Sequence, residues 1–270
     1  MSPGPGIGIF DSGVGGLTVV RAVMDRLPRE SVIYFGDTAR VPYGSKSPET
    51  VIRFARESAA FLAGKGIKLL VVACNTASAV SIPALRQEFD LPIVGVIEPG
   101  ALFASRATGS GRVGVIGTIG TISSGAYQNA LRECNSSIRV IAQPCPLLVP
   151  LVEEGWLDHE ITRLVVEEYT RPLVAEGIDT LVLGCTHYPL LKPVLSRVLG
   201  DGVRLVDSAE ATAEVIGDTL RSRGLLRGSE ETERPDRKFY VSDIPLKFQE
   251  IAQRFLGAAV PLVTQIKVGE

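Results

Sequence analysis

Short runs of Val, Ile and Leu alternate along the chain with longer stretches whose apolar residues recur every three or four positions. The runs at 6–10, 32–35, 68–73, 93–96, 112–117, 139–142, 180–184 and 204–206 read as strands. Their apolar character is unbroken by polar alternation, which marks strands buried on both faces, as in a parallel sheet. Helical spacing between them covers 17–27, 48–65, 78–89, 122–134, 159–176, 193–199 and 209–223. This alternation predicts βαβ units in an open, doubly wound α/β sheet, with ligands at the carboxyl ends of the strands.

The pattern also repeats. Gly-Ile-Gly-Ile-Phe-Asp-Ser at 6–12 is echoed by Val-Gly-Val-Ile-Gly-Thr at 113–118. Leu-Val-Val-Ala-Cys-Asn-Thr at 70–76 is echoed, in the same order, by Leu-Val-Leu-Gly-Cys-Thr-His at 181–187. Two echoes at similar offsets predict two related open-sheet α/β domains with the active site in the cleft between them. The expected division is 1–97 with a return segment 207–270, and 98–206. The polar stretch 224–238 reads as an exposed loop.

Composition narrows the partner. A chain of 270 residues with a net charge of -2 and no Lys/Arg block lacks the electrostatic footprint of a nucleic-acid or anionic-membrane binder. That leaves a small molecule. The first residues show no signal peptide, and the apolar runs are too short to span a bilayer. Four single cysteines without C-x-x-C spacing, and only two histidines, argue against a metal site or a disulfide framework. The expectation is a reduced, cytoplasmic protein.

Cys74 and Cys185 carry the chemistry. Each follows a buried-type strand and precedes a helix, where the helix N-terminus favours thiolate. A buried cysteine is ordinarily a small hydrophobe. Two at equivalent places in duplicated halves, each followed by polar residues, are a different matter. Facing each other across a cleft, they suit inversion of a stereocentre, one thiolate removing a proton and the other thiol delivering one to the opposite face. Cys134 and Cys145 lack that context.

Asp11, Ser12 and the glycines at 13, 15 and 16 form a turn opening a helix, able to hold an anion on backbone N–H groups. Asp11 fits either a place near a thiol or amine, or a cap. His187 stands two residues past Cys185 and fits an acid–base role or a structural one. His159 reads as a solvated helix start. Pro42, Tyr43 and Gly44 form a turn that lines a cleft or is only a turn. Asn75, Thr76 and Thr186 offer carboxylate-binding groups beside the cysteines, or caps.

Four motifs taken together, Phe-Asp-Ser-Gly-Val-Gly-Gly (10–16), Val-Pro-Tyr-Gly (41–44), Ala-Cys-Asn-Thr-Ala-Ser (73–78) and Gly-Cys-Thr-His-Tyr-Pro (184–189), resemble the glutamate racemases. The resemblance runs from the first strand to about residue 208. It implies a cofactor-independent, metal-free isomerase that interconverts L- and D-glutamate and supplies D-glutamate for peptidoglycan. It also implies a homodimer. By the same resemblance Cys74 and Cys185 are the two acid/base residues, assisted by Asp11 and His187. The resemblance also implies that Asp11, Ser12, Pro42, Tyr43, Gly44, Asn75, Thr76, Thr186 and His187 contact substrate. Asp37 and Glu153 are supporting carboxylates, with Glu154 adjoining, and Thr118 and Thr121 line the cleft. Glutamate itself rests on the resemblance. The residues alone reach paired cysteines and an anion site.

Other readings stay open at this level. They are a racemase for aspartate or another amino acid, a hydrolase using one cysteine with His187 as base, and a non-catalytic carboxylate-binding module. No lysine is marked for a Schiff base, which disfavours a pyridoxal enzyme.

Overall fold

Two sheets, each with every strand parallel, organise the chain. This computed structural model describes residues 5–228, 234–244, 248–258 and 262–269. The first sheet holds β1 (Ile7–Asp11), β2 (Val32–Gly36), β3 (Leu69–Val72) and β4 (Ile93–Gly95), with β9 (Arg237–Val241) and β10 (Val263–Gln265) added at one edge. The second holds β5 (Arg112–Gly117), β6 (Arg139–Pro144), β7 (Thr180–Gly184) and β8 (Arg204–Asp207). The order β2-β1-β3-β4 recurs as β6-β5-β7-β8. The echoed segments are therefore topological equivalents, β1 with β5 and β3 with β7, and the predicted pair of α/β sheets is present.

The helices are α1 (Leu17–Arg26), α2 (Pro48–Ala63), α3 (Asn75–Glu88), α4 (Ile97–Ala107), α5 (Ile119–Ser123), α6 (Ala126–Cys134), α7 (Leu148–Glu153), α8 (Glu160–Ala175), α9 (Lys192–Leu199), α10 (Ser208–Ser222) and α11 (Phe248–Leu256). Local chemistry sets their ends. Ser47 caps α2 ahead of a proline at the first helical position, and the Asp207 carboxylate accepts from the Ala209 N–H at 2.8 Å to open α10. Along α10, Ala209, Ala213, Ile216 and Leu220 form one buried stripe in the core that also holds Val20 and Val23 of α1 and Leu181 of β7. One apolar core thus runs through both halves.

Three expectations need correction. The helix predicted at 122–134 is two, because Gly125 takes φ +68° and breaks the run. The helix at 97–107 was not predicted; its Pro-Gly pair looks like a breaker, yet proline is tolerated in a first turn. The loop expected at 224–238 is not simply exposed. Arg227 is buried, with its N–H bonded to the Glu30 carboxylate at 2.8 Å, and residues 237–238 already belong to β9. Residues 229–233 lie outside the described residues. Among the described residues, no helix is long and apolar enough to cross a membrane.

Candidate active site

The carboxyl ends of β1, β3, β5 and β7 converge on one cavity of about 280 Å³. Cys74 sits at the N-cap position of α3 just past β3, and Cys185 directly follows β7. Both line the cavity, each only 6% exposed. Ser12, Pro42, Tyr43, Gly44, Asn75, Thr76, Thr118, Glu153, Thr186 and His187 line it with them. Of the residues expected at the site, Asp11, Asp37 and Thr121 stand behind this lining.

Around Cys74 the environment is closed. Asp11 is fully buried, and its carboxylate accepts the Gly13 N–H at 2.9 Å. The Ser12 and Gly16 N–H groups also turn toward it. The glycine-rich turn was expected to hold a ligand anion; instead its amides turn toward the chain's own carboxylate, of which Oδ2 is bonded and Oδ1 is buried without a hydrogen-bond partner. Burial nevertheless raises the Asp11 pKa, opposed by the charge of His187 and by those amides. The Cys74 thiol follows. Burial first and the Asp11 charge second push it up to about 12, against the pull of the Ala77 N–H and the Ser12 hydroxyl. The helix N-terminus was expected to favour thiolate, and here desolvation outweighs it.

Around Cys185 the partners form a chain. His187 Nδ1 lies 3.9 Å from the Cys185 sulfur, and Nε2 donates to Glu153 Oε1 at 2.9 Å. Burial would lower the His187 pKa, but the bonds and charges of Cys185 and Glu153 carry it up to about 10. Phe255 of α11 meets the imidazole edge-on, with ring centres 4.9 Å apart. Glu153, rather than Glu154, is the carboxylate that reaches this histidine, and the Arg254 guanidinium donates to the Glu153 carbonyl at 2.9 Å.

The halves meet closely at the site. A Cβ on Gly15 would stand 2.3 Å from Thr186 Oγ1 and 2.6 Å from His187 Nδ1, so only glycine fits there without a shift. Thr18 donates its hydroxyl to the Thr186 carbonyl at 3.1 Å. Across the same seam the hydroxyls of Thr76 and Thr118 lie 2.9 Å apart, and Thr121 completes a three-hydroxyl cluster without touching the cavity. Asp37 also acts at one remove. It accepts from the Tyr43 hydroxyl, from Arg40 Nε at 2.6 Å and from Ser242 at 2.9 Å, holding the Pro42–Gly44 turn in place.

Cys145 and His159 fall where they were expected, whereas Cys134, read as an ordinary buried cysteine, is exposed. Cys134 is exposed at the end of α6, Cys145 is buried in the core, and His159 caps α8 by accepting from the Ile161 N–H at 3.1 Å. Sequence reasoning missed the apolar wall of the cavity, Val149 of α7 with Phe248 and Ile251 of α11. The signal available for α11 was its strong amphipathic spacing. Among the described residues, no group of three or more His, Cys, Asp or Glu is arranged to hold a metal ion.

Residues 17–216 match the family model for Asp/Glu/Hydantoin racemase. A glutamate racemase from Geobacter metallireducens is 54% identical over 266 residues, 98% of each chain. One from Neisseria meningitidis serogroup B is 52% identical over 264 residues, 97% of each. The crystal structure of a glutamate racemase isoform from Bacillus anthracis matches with a TM-score of 0.93 at 41% identity, covering 97% of both chains. That of the Francisella tularensis glutamate racemase, in complex with D-glutamate, matches at 0.91 and 38% over 97% of both. An aspartate racemase from Picrophilus torridus, at 21% identity and a TM-score of 0.55, shares the fold. The chain belongs to the Asp/Glu/hydantoin racemase family of isomerases and falls among its glutamate racemases.

Proposed function

We propose that this chain interconverts L- and D-glutamate by passing the α-proton between Cys74 and Cys185. One observation carries the reading: the two cysteines, at equivalent strand ends of the two halves, face a single amino-acid-sized cavity. In one direction the Cys185 sulfur, as thiolate, takes the proton from Cα, breaking C–H and forming S–H. The Cys74 thiol then gives its proton to the opposite face and is left as thiolate. The reverse direction exchanges the roles, so no net proton is gained or lost. His187 stands where it can take or return the Cys185 proton, and Asp11 where its charge acts on Cys74. Asn75, Thr76, Thr118 and Thr186 offer donors for the substrate's carboxylates, with Ser12, Pro42, Tyr43 and Gly44 shaping the wall.

The first test is incubation with L-glutamate in D₂O without added cofactor. Loss of the α-proton signal together with decay of optical rotation to zero is the expected result. Rotation that stays constant while aspartate decays would transfer the reading to an aspartate racemase.

A cysteine hydrolase has one specific observation in its favour, the Cys185–His187–Glu153 chain, which resembles a nucleophile–base–orienter arrangement. The second cysteine in the same cavity weighs against it. Trapping an acyl group on Cys185 would reverse that judgement.

We further propose that the product D-glutamate feeds peptidoglycan synthesis in the cytoplasm, that the protein works as a homodimer, and that 1–97 with 207–270 forms one unit and 98–206 the other. The peptidoglycan role and the homodimer rest on the family resemblance, and the cytoplasmic location on the single, free cysteines. The division is supported by β9 and β10 joining the first sheet. Rescue of a D-glutamate-requiring bacterium, fluorescent tracking in cells, sedimentation and hydrogen exchange test these in turn.

A further inference from the structure

Asn75 opens α3 directly after Cys74, and its side chain is buried at the cavity wall. The two ends of its amide are unequally served. Oδ1 accepts a 2.7 Å hydrogen bond from the hydroxyl of Tyr127, which reaches across from α6 in the other half. Nδ2 is buried and has no partner in the protein. A buried donor left unpaired costs roughly 1–3 kcal/mol, so its retention at a cavity wall points to a ligand acceptor.

Tyr127 is placed with care by its surroundings. It is fully buried. A Cβ on Gly184, the residue before Cys185, would stand 3.0 Å from the Tyr127 ring, and one on Gly100 would stand 3.2 Å from its hydroxyl. Two glycines therefore leave the channel through which the phenol reaches Asn75. The hydroxyl bonds the Asn75 amide in the cavity wall, and the Ser208 side chain at the start of α10 stands beside the same hydroxyl.

We propose that Tyr127 is a positioning residue for substrate recognition: by holding Asn75 Oδ1 it aims Nδ2 into the cavity, where it donates to a carboxylate of the amino-acid substrate. This rests on the racemase reading above. The carboxylate is common to both enantiomers and is bound before and during proton transfer alike. Binding of that uniform kind is read in KM rather than in kcat.

The test is a double-mutant cycle with Tyr127→Phe, Asn75→Ala and the pair, measuring kcat and KM in both directions. Tyr127→Phe is expected to raise KM about 3- to 10-fold in each direction, the worth of one hydrogen bond, with kcat within about twofold. In the Asn75→Ala background the same change is expected to add nothing. Phe fills the same space, and a cooperative melt within several degrees of the wild type confirms that the fold survives the loss of one buried hydrogen bond. An unchanged KM in Tyr127→Phe, or a full additional loss on top of Asn75→Ala, overturns the inference. Wild-type protein that neither racemises nor binds glutamate overturns the racemase reading instead.

Discussion

The two cysteines occupy the same place in a duplicated topology, yet they are served by opposite kinds of chemistry. Cys74 lies beside a buried carboxyl that a backbone amide bonds on one oxygen only, and burial with that charge pushes its thiol up to about 12. Cys185 lies at the head of a relay through His187 to Glu153, whose side chain is 42% exposed and opens toward water. Duplication explains the shared geometry, since β3 and β7 deliver their cysteines to one cavity from equivalent positions. It does not explain the chemistry, which comes from residues outside the echoed strands. The difference suits a two-base isomerase, which needs one acid and one base ready at the same moment. The lesson is that a repeated backbone sets where groups stand, while their proton affinities are set separately by burial and neighbours.

Removing either thiol should show the largest effect. Cys74→Ala and Cys185→Ala are each expected to cost about 10²–10⁴ in racemisation, the usual loss for a positioned acid or base. Because the enantiomers have equal free energy, kcat/KM must fall equally in both directions. The asymmetry shows elsewhere. In D₂O each variant should wash out the α-proton of only one enantiomer, the one presented to the surviving thiol, and the two variants should choose opposite enantiomers. NMR of each enantiomer separately reads this out. Equal wash-out of both by a single-cysteine protein would contradict two opposed bases.

The neighbours should come next. Asp11→Asn and His187→Asn are each expected to lower kcat about 10- to 100-fold, less than loss of a thiol because the sulfur remains. Their pH profiles should part. Asp11→Asn removes a charge that raises the Cys74 pKa, so the thiol should ionise at lower pH than in the wild type, and the alkaline limb should move down. His187→Asn should leave that limb where it is. Glu153→Gln should cost less than His187→Asn, because a half-exposed carboxylate is screened by water. Activity profiles over a broad pH range check all three. Identical profiles for the Asp11 and His187 variants would remove the distinction between the two sides.

The seam between them offers a steric test. Gly15→Ala should push Thr186 and His187 away from the first half, since its Cβ has nowhere to go within 2.6 Å of the imidazole. We expect about a tenfold fall in kcat, more than Gly66→Ala causes, although Gly66 has the positive φ of 73°. Gly66 has open space around it and sits in the turn before β3, at the opposite end of that strand from Cys74, so its cost is backbone strain paid in stability. Steady-state rates with melting temperatures separate the two.

How much of this was legible beforehand follows from how local each feature is. Cys74 and Cys185 were readable because the duplicated strands announce them and burial needs only an apolar run. The enclosure of Asp11 was not, since it depends on how the turn at 12–16 folds back, and the same glycines fit an anion site equally well. Tyr127 was hidden for another reason: its partner lies 52 residues away in the other half. In the fold, β9 escaped because Arg237 and Lys238 continue a polar stretch and only Phe239, Tyr240 and Val241 read as strand. β10 has three residues, too few for any period to show. Phe248 and Ile251 reached the cavity unforeseen because α11 comes from the return segment, whose docking is decided by tertiary packing.

The smallest effect expected is thermodynamic, and on the Cys185 side it comes through His187. His187 has a folded-state pKa near 10 against an ordinary value of 6.5. Folding therefore favours the imidazolium, and a pKa raised in this way contributes stability that is present in full below about pH 6.5. Between that pH and about 10 the folded chain binds the proton and the unfolded chain does not, so stability falls as pH rises and the contribution is gone once the pH passes the folded value. His187→Gln lacks the titration. Its melting temperature should lie a few degrees below that of the wild type at pH 6 and approach it by pH 10, with the carboxylate partner Glu153 accounting for part of the gap. Glu153→Gln should narrow the difference without abolishing it, because Cys185 still faces the imidazole. Calorimetric melts of the three proteins across that range give the answer, and a gap that widens toward alkaline pH would mean that the imidazole is held neutral and that the Cys185 side resembles the Cys74 side after all.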